Sequence, residues 1–143
     1  MKVAFATTDG CLVDEHFGRA GRFAILDFTP EGYTPLPDLV FAEGRDTVVE
    51  STRGQGDAHD HAVEQKVERL RDCRLVYMTA IGGPSAARMA RRGIMPVKVP
   101  ERTVIAEAAD KLLHQIQTAP PPWLRLALKT PDNATHDTQG DAR

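Results

Sequence analysis

The chain has 143 residues, with 18 lysines and arginines against 20 aspartates and glutamates and a formal charge of −2. That length supports one domain with its own core and no disulfide or metal staple, and the near-balanced charge gives no general attraction for nucleic acid or an anionic membrane. The first apolar run turns polar by Thr7 and Thr8 and no later run is long enough to span a bilayer, so a cytoplasmic protein is expected.

Residues 3–7 are almost continuously apolar and close on Asp9-Gly10, the pattern of a central strand covered on both faces. The chain then passes through Cys11 and the stretch Val13-Asp14-Glu15-His16-Phe17-Gly18 before a second strand at residues 22–28, which ends in a Pro30-Glu31-Gly32 turn. Residues 33–41 read as a third strand, demoted to a sheet edge by Pro35 and Pro37, each of which removes a ladder donor. These three strands suggest a meander.

Residues 43–60 carry no periodic pattern and read as a long functional or mobile loop. A helix is expected over residues 61–72, with Asp60 as its N-cap, Val63, Val67 and Leu70 on its apolar stripe, and Lys66, Arg69 and Arg71 facing elsewhere. A strand follows at residues 74–79 and runs into Ile81-Gly82-Gly83-Pro84, a strand-to-helix turn with bare backbone N–H groups and proline at the first helical position. That helix stops at Gly93, residues 95–99 form a fifth strand, and Thr103 caps a last core helix buried through Ile105, Ala108, Leu112 and Ile116.

Alternation of strand and helix from residue 61 to 117 calls for parallel strands joined by helical crossovers. The expected fold is therefore α/β, a mixed five-stranded sheet flanked by helices. Residues 1–117 make up the domain and residues 118–129 a proline-rich spacer with a short amphipathic helix that docks on the domain or on a partner. Residues 130–143 have no apolar side chain larger than alanine and are expected to be disordered.

His16 carries the most chemistry. Imidazole is the commonest protein ligand for a transition metal, although a histidine in a turn also serves as an ordinary surface hydrogen-bonding group. Ligands of doubly wound sheets bind beyond the carboxyl ends of the strands, so parallel first and fourth strands would set His16 opposite Gly82 and Gly83. An anionic iron–sulfur cluster fits such an edge: one nitrogen ligand, N–H groups at a helix N-terminus, and nearby arginine. Arg19 is the preferred charge partner over Arg22 and Arg88. Cys11 offers either a thiolate or a small buried side chain, and Cys73 reads as core. The two cysteines form no disulfide framework.

Other constellations are weaker. His59-Asp60-His61 could hold zinc or nickel but supplies too few ligands to complete a site. Asp9, Asp14 and Glu15 suit a magnesium ion or a solvated turn. Cys11 with His16 lacks a third orienting residue for nucleophilic catalysis, so no enzyme is expected.

Taken together, Lys2-Val3-Ala4-Phe5-Ala6-Thr7, the His16-Phe17-Gly18 turn, Arg22-Phe23-Ala24-Ile25, and the cysteine-led strand 73–79 with its Gly82-Gly83 turn resemble the NifX/NafY family, whose domain also forms the C-terminal part of NifB. Pro121-Pro122-Trp123-Leu124 resembles the tail of the NifX members. The resemblance implies an RNase H-like fold without nuclease activity. It also implies a non-enzymatic carrier that holds an iron–sulfur precursor of the nitrogenase iron-molybdenum cofactor between a NifB-like donor and a NifEN-like acceptor. The family's cofactor-binding histidine carries over to His16. An alternative reading is a regulatory module that senses metal through His59 and His61 or contacts nitrogenase proteins through Trp123 and Leu124.

Overall fold

The computed structural model describes residues 1–41 and 56–129, with the side chains of residues 62–126 described in the second segment. In chain order the elements are β1 (Lys2–Ala6), β2 (Leu12–Val13), β3 (Arg22–Thr29), β4 (Gly32–Val40), α1 (Gly56–Arg69), β5 (Cys73–Met78), α2 (Gly83–Arg91), β6 (Met95–Lys98), β7 (Thr103–Val104), α3 (Ile105–Thr118) and α4 (Pro122–Lys129). A single turn of 3-10 helix at Phe17–Arg19 lies between β2 and β3.

Five strands form one mixed sheet in the order β4-β3-β1-β5-β6. β1 pairs antiparallel with β3, which pairs antiparallel with β4, so the expected meander is present. β5 lies parallel to both β1 and β6, the consequence of helical crossovers through α1 and α2. β4, with Pro35 and Pro37, occupies an edge, the place in a sheet where proline is tolerated. β1 is buried on both faces, its residues 3–6 fully covered, as its continuous apolar run requires.

One apolar cluster, including Ala4, Ala6, Phe17, Phe23, Val67, Met78 and Met89, lies between the sheet and helices α1 and α2. The other, including Val3, Phe5, Leu75, Tyr77, Ala109 and Leu112, lies beneath α3. Phe5 and Tyr77 stack across the parallel β1–β5 pair at 4.7 Å between ring centroids.

Several local expectations are corrected. α1 begins at Gly56, so Asp60 lies inside the helix instead of capping it. Gly82 is the N-cap of α2, Gly83 its first residue and Pro84 its second, where a missing N–H is still harmless. Gly93 ends that helix segment with φ +76°, as a C-terminal glycine should.

Thr103 does not cap α3. It pairs with Val13 as part of β7, its hydroxyl donates to the carbonyl of Pro100, and Val104 precedes the helix without any side-chain cap. The β2–β7 ladder forms a second, two-stranded sheet that the sequence pattern did not reveal, because a two-residue strand is too short to show alternation.

Among the described residues no helix is long and apolar enough to cross a membrane. Most of the expected loop at residues 43–60, and the whole expected tail at residues 130–143, lie outside the described residues.

Helix α4 docks on the domain through Leu124, which is fully buried in the α3-side cluster, while Leu126 is 65% exposed. Leu124 thus faces inward and is removed from the surface available to a partner. Truncating it to alanine is expected to cost about 2–5 kcal/mol, whereas Leu126→Ala should stay within about 0.5 kcal/mol. Urea denaturation of the two variants tests this, and equal midpoints would show that α4 is not part of the core.

Candidate functional site

The chain leaves β1 at Ala6, and its next residues fold back on the side chain of Asp9. The Asp9 carboxylate accepts from the N–H groups of Cys11 and Leu12 and from the Thr7 hydroxyl, and those backbone donors hold it below the usual carboxylate range. Asp14 accepts from both the N–H and the hydroxyl of Thr8. These carboxylates organise a turn, and no group of three or more metal-ligating side chains occurs among the described residues.

β2 then carries the chain across the carboxyl edge of the sheet to the end of β5. The N–H of Thr79 donates to the carbonyl of Glu15 at 3.0 Å, and the N–H of Phe17 donates to the carbonyl of Ala80 at 2.8 Å, making a parallel bridge between His16 and Ala80. Side chains alternate across an extended segment. Glu15 and Phe17 are therefore buried and His16 between them is exposed.

Phe17 anchors the turn. Its ring is fully buried, 5.9 Å from the Phe23 ring. After it, the N–H of Arg19 donates to the His16 carbonyl and that of Ala20 to the Phe17 carbonyl, closing the 3-10 turn.

Beneath this turn lies Lys66, on the buried face of α1 and not on the outer face expected for it. Lys66 is only 4% exposed, and its ammonium donates to the carbonyls of Phe17 at 3.2 Å, Gly18 at 3.3 Å and Ala20 at 2.9 Å. It also lies 5.6 Å from the centre of the Phe17 ring and 5.7 Å from that of Phe41, within cation–π range. Spacing could have found it, since Lys66 falls three residues after Val63 and four before Leu70, on the apolar stripe itself. A lysine there buries its aliphatic stem and keeps its charge only if oxygen acceptors are supplied.

Burial pushes the Lys66 ammonium down to about 8, with the carboxylate of Glu15 pulling the other way. At neutral pH it therefore remains mostly charged.

The arginines are sorted by their partners. Arg22 pairs with Asp38 at 2.7 Å, and Arg88 pairs with Glu64 at 3.1 Å in a cluster that also joins Arg92 to Glu64 and Glu68. Both are thereby engaged within the fold. Arg19, at the end of the His16 turn, is exposed and makes no ion pair among the described residues.

The structure brings His16 beside Ala80, two residues ahead of the Gly82–Gly83 start of α2. Gly82 and Gly83 are exposed, and a Cβ at Gly18 or Gly83 would meet nothing within 4 Å. Neither glycine has a positive φ. Packing within the described fold requires glycine at neither position, and bare backbone there faces open space.

Cys11 is exposed, and its carbonyl accepts from the N–H of Ile105 at 2.8 Å, tying it to the β7–α3 junction instead of to Ala80. Cys73 is buried at the opposite end of β5. The side chains of His59 and His61 lie outside the described residues. A separate open cleft of about 490 Å³, lined by Tyr77, Pro100, Arg102 and Lys111 among others, lies along α3 and includes none of these residues.

The described edge can thus present one imidazole, backbone amides at a helix N-terminus, and a guanidinium to an anion lying outside the chain.

Residues 1–115 match the family model for dinitrogenase iron-molybdenum cofactor. The chain is 35% identical over 128 residues to protein NifX of Sinorhizobium fredii, covering 90% of this chain and 78% of that relative. It is 36% identical to protein NifX of Herbaspirillum seropedicae, covering 90% of this chain and 82% of that relative. Identity to protein NifY of Azotobacter vinelandii is 33%, over 97% of this chain but only 53% of that longer relative. The crystal structure of PH0822 superposes with a TM-score of 0.56 at 18% identity, covering 86% of this chain and 99% of the other, which supports the fold.

The depressed Lys66 value sets the sign of a pH effect. The folded chain gives up this proton near 8 and the unfolded chain near the ordinary 10.5, so between those values the unfolded state binds more protons and this group makes stability rise with pH. The stability difference between the unaltered chain and Lys66→Met, read by urea denaturation at two pH values bracketing that window, should therefore shift toward the unaltered chain at the higher pH. A difference that stays constant would show that the amine does not titrate there.

Proposed function

Because the chain belongs to the dinitrogenase iron-molybdenum cofactor family and so acts in nitrogenase cofactor biosynthesis, we propose that it carries an iron–sulfur precursor of that cofactor during assembly. The observation that carries this reading is the exposure of His16 on a turn whose two flanking residues are bonded to the end of β5, beside the N-terminus of α2.

In this reading His16 is the metal ligand. A neutral imidazole binds iron, and a rigid backbone on either side holds the ring at the sheet edge without a second protein ligand. The amides at Gly82 and Gly83 face the cargo's negative charge, because the first N–H groups of a helix have no partner within it. Arg19 adds a mobile cation. Open space at Gly18 and Gly83 lets a bulky cluster approach the backbone more closely than any Cβ would permit.

Cys11, exposed on the same connection, is a further thiolate available to iron. The role is to hold and release, with no bond-making chemistry by the chain itself. Attachment through one imidazole and several hydrogen bonds is weak enough to reverse, as a handover from a NifB-like donor to a NifEN-like acceptor in the cytoplasm requires.

Anaerobic purification from a cluster-producing host should give a brown, iron-containing protein. His16→Ala should lower bound iron by about tenfold or more with an unchanged circular dichroism spectrum. Equal iron in both proteins overturns the assignment of His16, and loss of iron in Cys11→Ala alone would move the ligand role to the thiolate.

A further inference from the structure

We propose that Lys66 is a positioning residue for the cargo: its buried ammonium, by gathering the carbonyls of Phe17, Gly18 and Ala20, shapes the turn that presents His16 and places a positive charge directly behind it. This inference rests on the carrier reading above.

The geometry supports both parts. In a trans peptide the carbonyl and the following N–H point in opposite directions. Drawing the Phe17 carbonyl toward Lys66 turns the N–H of Gly18 away from α1, and drawing the Ala20 carbonyl inward does the same for Gly21. An amide so turned is one more donor toward an anion on the outer side, where a Cβ at Gly18 would meet only open space. Without the ammonium, the Phe17 carbonyl would keep only the N–H of Ala20, and the carbonyls of Gly18 and Ala20 would lose the donor that Lys66 supplies beside an apolar interior that includes Phe17, Val63, Val67 and Phe41. Unpaired carbonyls buried there are costly, so the turn would rotate and take His16 with it.

The charge acts differently from that of Arg19. An exposed guanidinium is screened by salt and moves freely, whereas an ammonium at 4% exposure is fixed and little screened. The backbone it binds is that of the turn directly following His16. The buried carboxylate of Glu15 faces the ammonium and offsets part of its field, and what remains stabilises a negatively charged cluster on the outer side of the turn, a reduced cluster more than an oxidised one.

The test compares anaerobically loaded unaltered chain, His16→Ala, Lys66→Met and Lys66→Arg. Bound iron and the reduction potential of the bound cluster, followed by its visible absorption, are the readouts. Lys66→Met is expected to keep the circular dichroism spectrum, to retain several-fold less iron, and to move the potential of the remaining cluster to a more negative value. Lys66→Arg, which restores a cation and planar donors, should return the potential and part of the iron.

Unaltered iron and potential in Lys66→Met, with iron lost in His16→Ala, overturns the role of Lys66 and leaves the carrier reading intact. Iron retained in His16→Ala defeats the carrier reading itself. Iron lost in Lys66→Met with an unchanged potential and no rescue by arginine reduces Lys66 to a structural residue, which also overturns the proposal. Where Lys66→Met fails to fold, Lys66→Gln, which keeps amide donors but no charge, takes its place: it should retain more iron than Lys66→Met would and still shift the potential to a more negative value, and an unchanged potential overturns the proposal.

Discussion

A lysine ammonium withdrawn from water must find oxygen elsewhere, or burial costs more than a small domain can spare. In this fold Lys66 finds it in the backbone of the 3-10 turn at Phe17–Arg19 and in Ala20 just beyond it. The dependence runs both ways. The amine stays folded inward because the turn supplies carbonyls, and the turn keeps its shape because the amine holds those carbonyls together. α1, which carries Lys66 among Val63, Val67 and Leu70, is thereby joined to the connection between β2 and β3. The position of His16 follows from that joint and from the two backbone bonds to the end of β5.

The parallel pairing of β1 with β5 gives this arrangement its setting. It puts the chain leaving β1 and the turn leading into α2 on one edge of the sheet, where α/β folds have room and free backbone donors for a ligand. Strand alternation then does the local work. Glu15 and Phe17 go inward, the first facing Lys66 electrostatically and the second filling the core, so His16 has only the outside left to it. The ion pairs Arg22–Asp38 and Arg88–Glu64 serve the sheet and the α1–α2 contact, and Arg19 is left facing solvent. In the carrier role proposed above, a site built this way would hold an anionic cargo from several directions with few strong bonds, which suits its release.

The elements that repeat over enough residues were legible in the chain itself. β1, β3, β5, α3 and the proline-marked edge strand β4 could be read from apolar runs, β-branched content and turn residues, because burial on one or both faces leaves a periodic trace. From the alternation of strands and helices the mixed five-stranded sheet followed, and with it the expectation that His16 and the Gly82 turn share an edge. The resemblance to a family rested on the same residues. Shorter features left no such trace. β2 and β7 have two residues each and exist only because each supplies the other's ladder partner. Thr103 reads as a cap by residue type, yet its hydroxyl finds the nearer acceptor at Pro100.

Side-chain destination was the harder matter. The place of Lys66 on the apolar stripe signals a buried stem, but nothing in its own neighbourhood of sequence announces the three carbonyls waiting 46 to 49 positions away. Leu124 similarly belongs to the core because α3 and the sheet leave a place for it. Local sequence by itself determined which of the longer stretches become strand or helix and which imidazole sits in a turn, since those depend on near neighbours and residue type. Tertiary structure decided where buried charge goes, which arginines are engaged, and which way His16 faces. Those outcomes depend on desolvation and on acceptors brought from distant parts of the chain, and neither exists until the chain has folded.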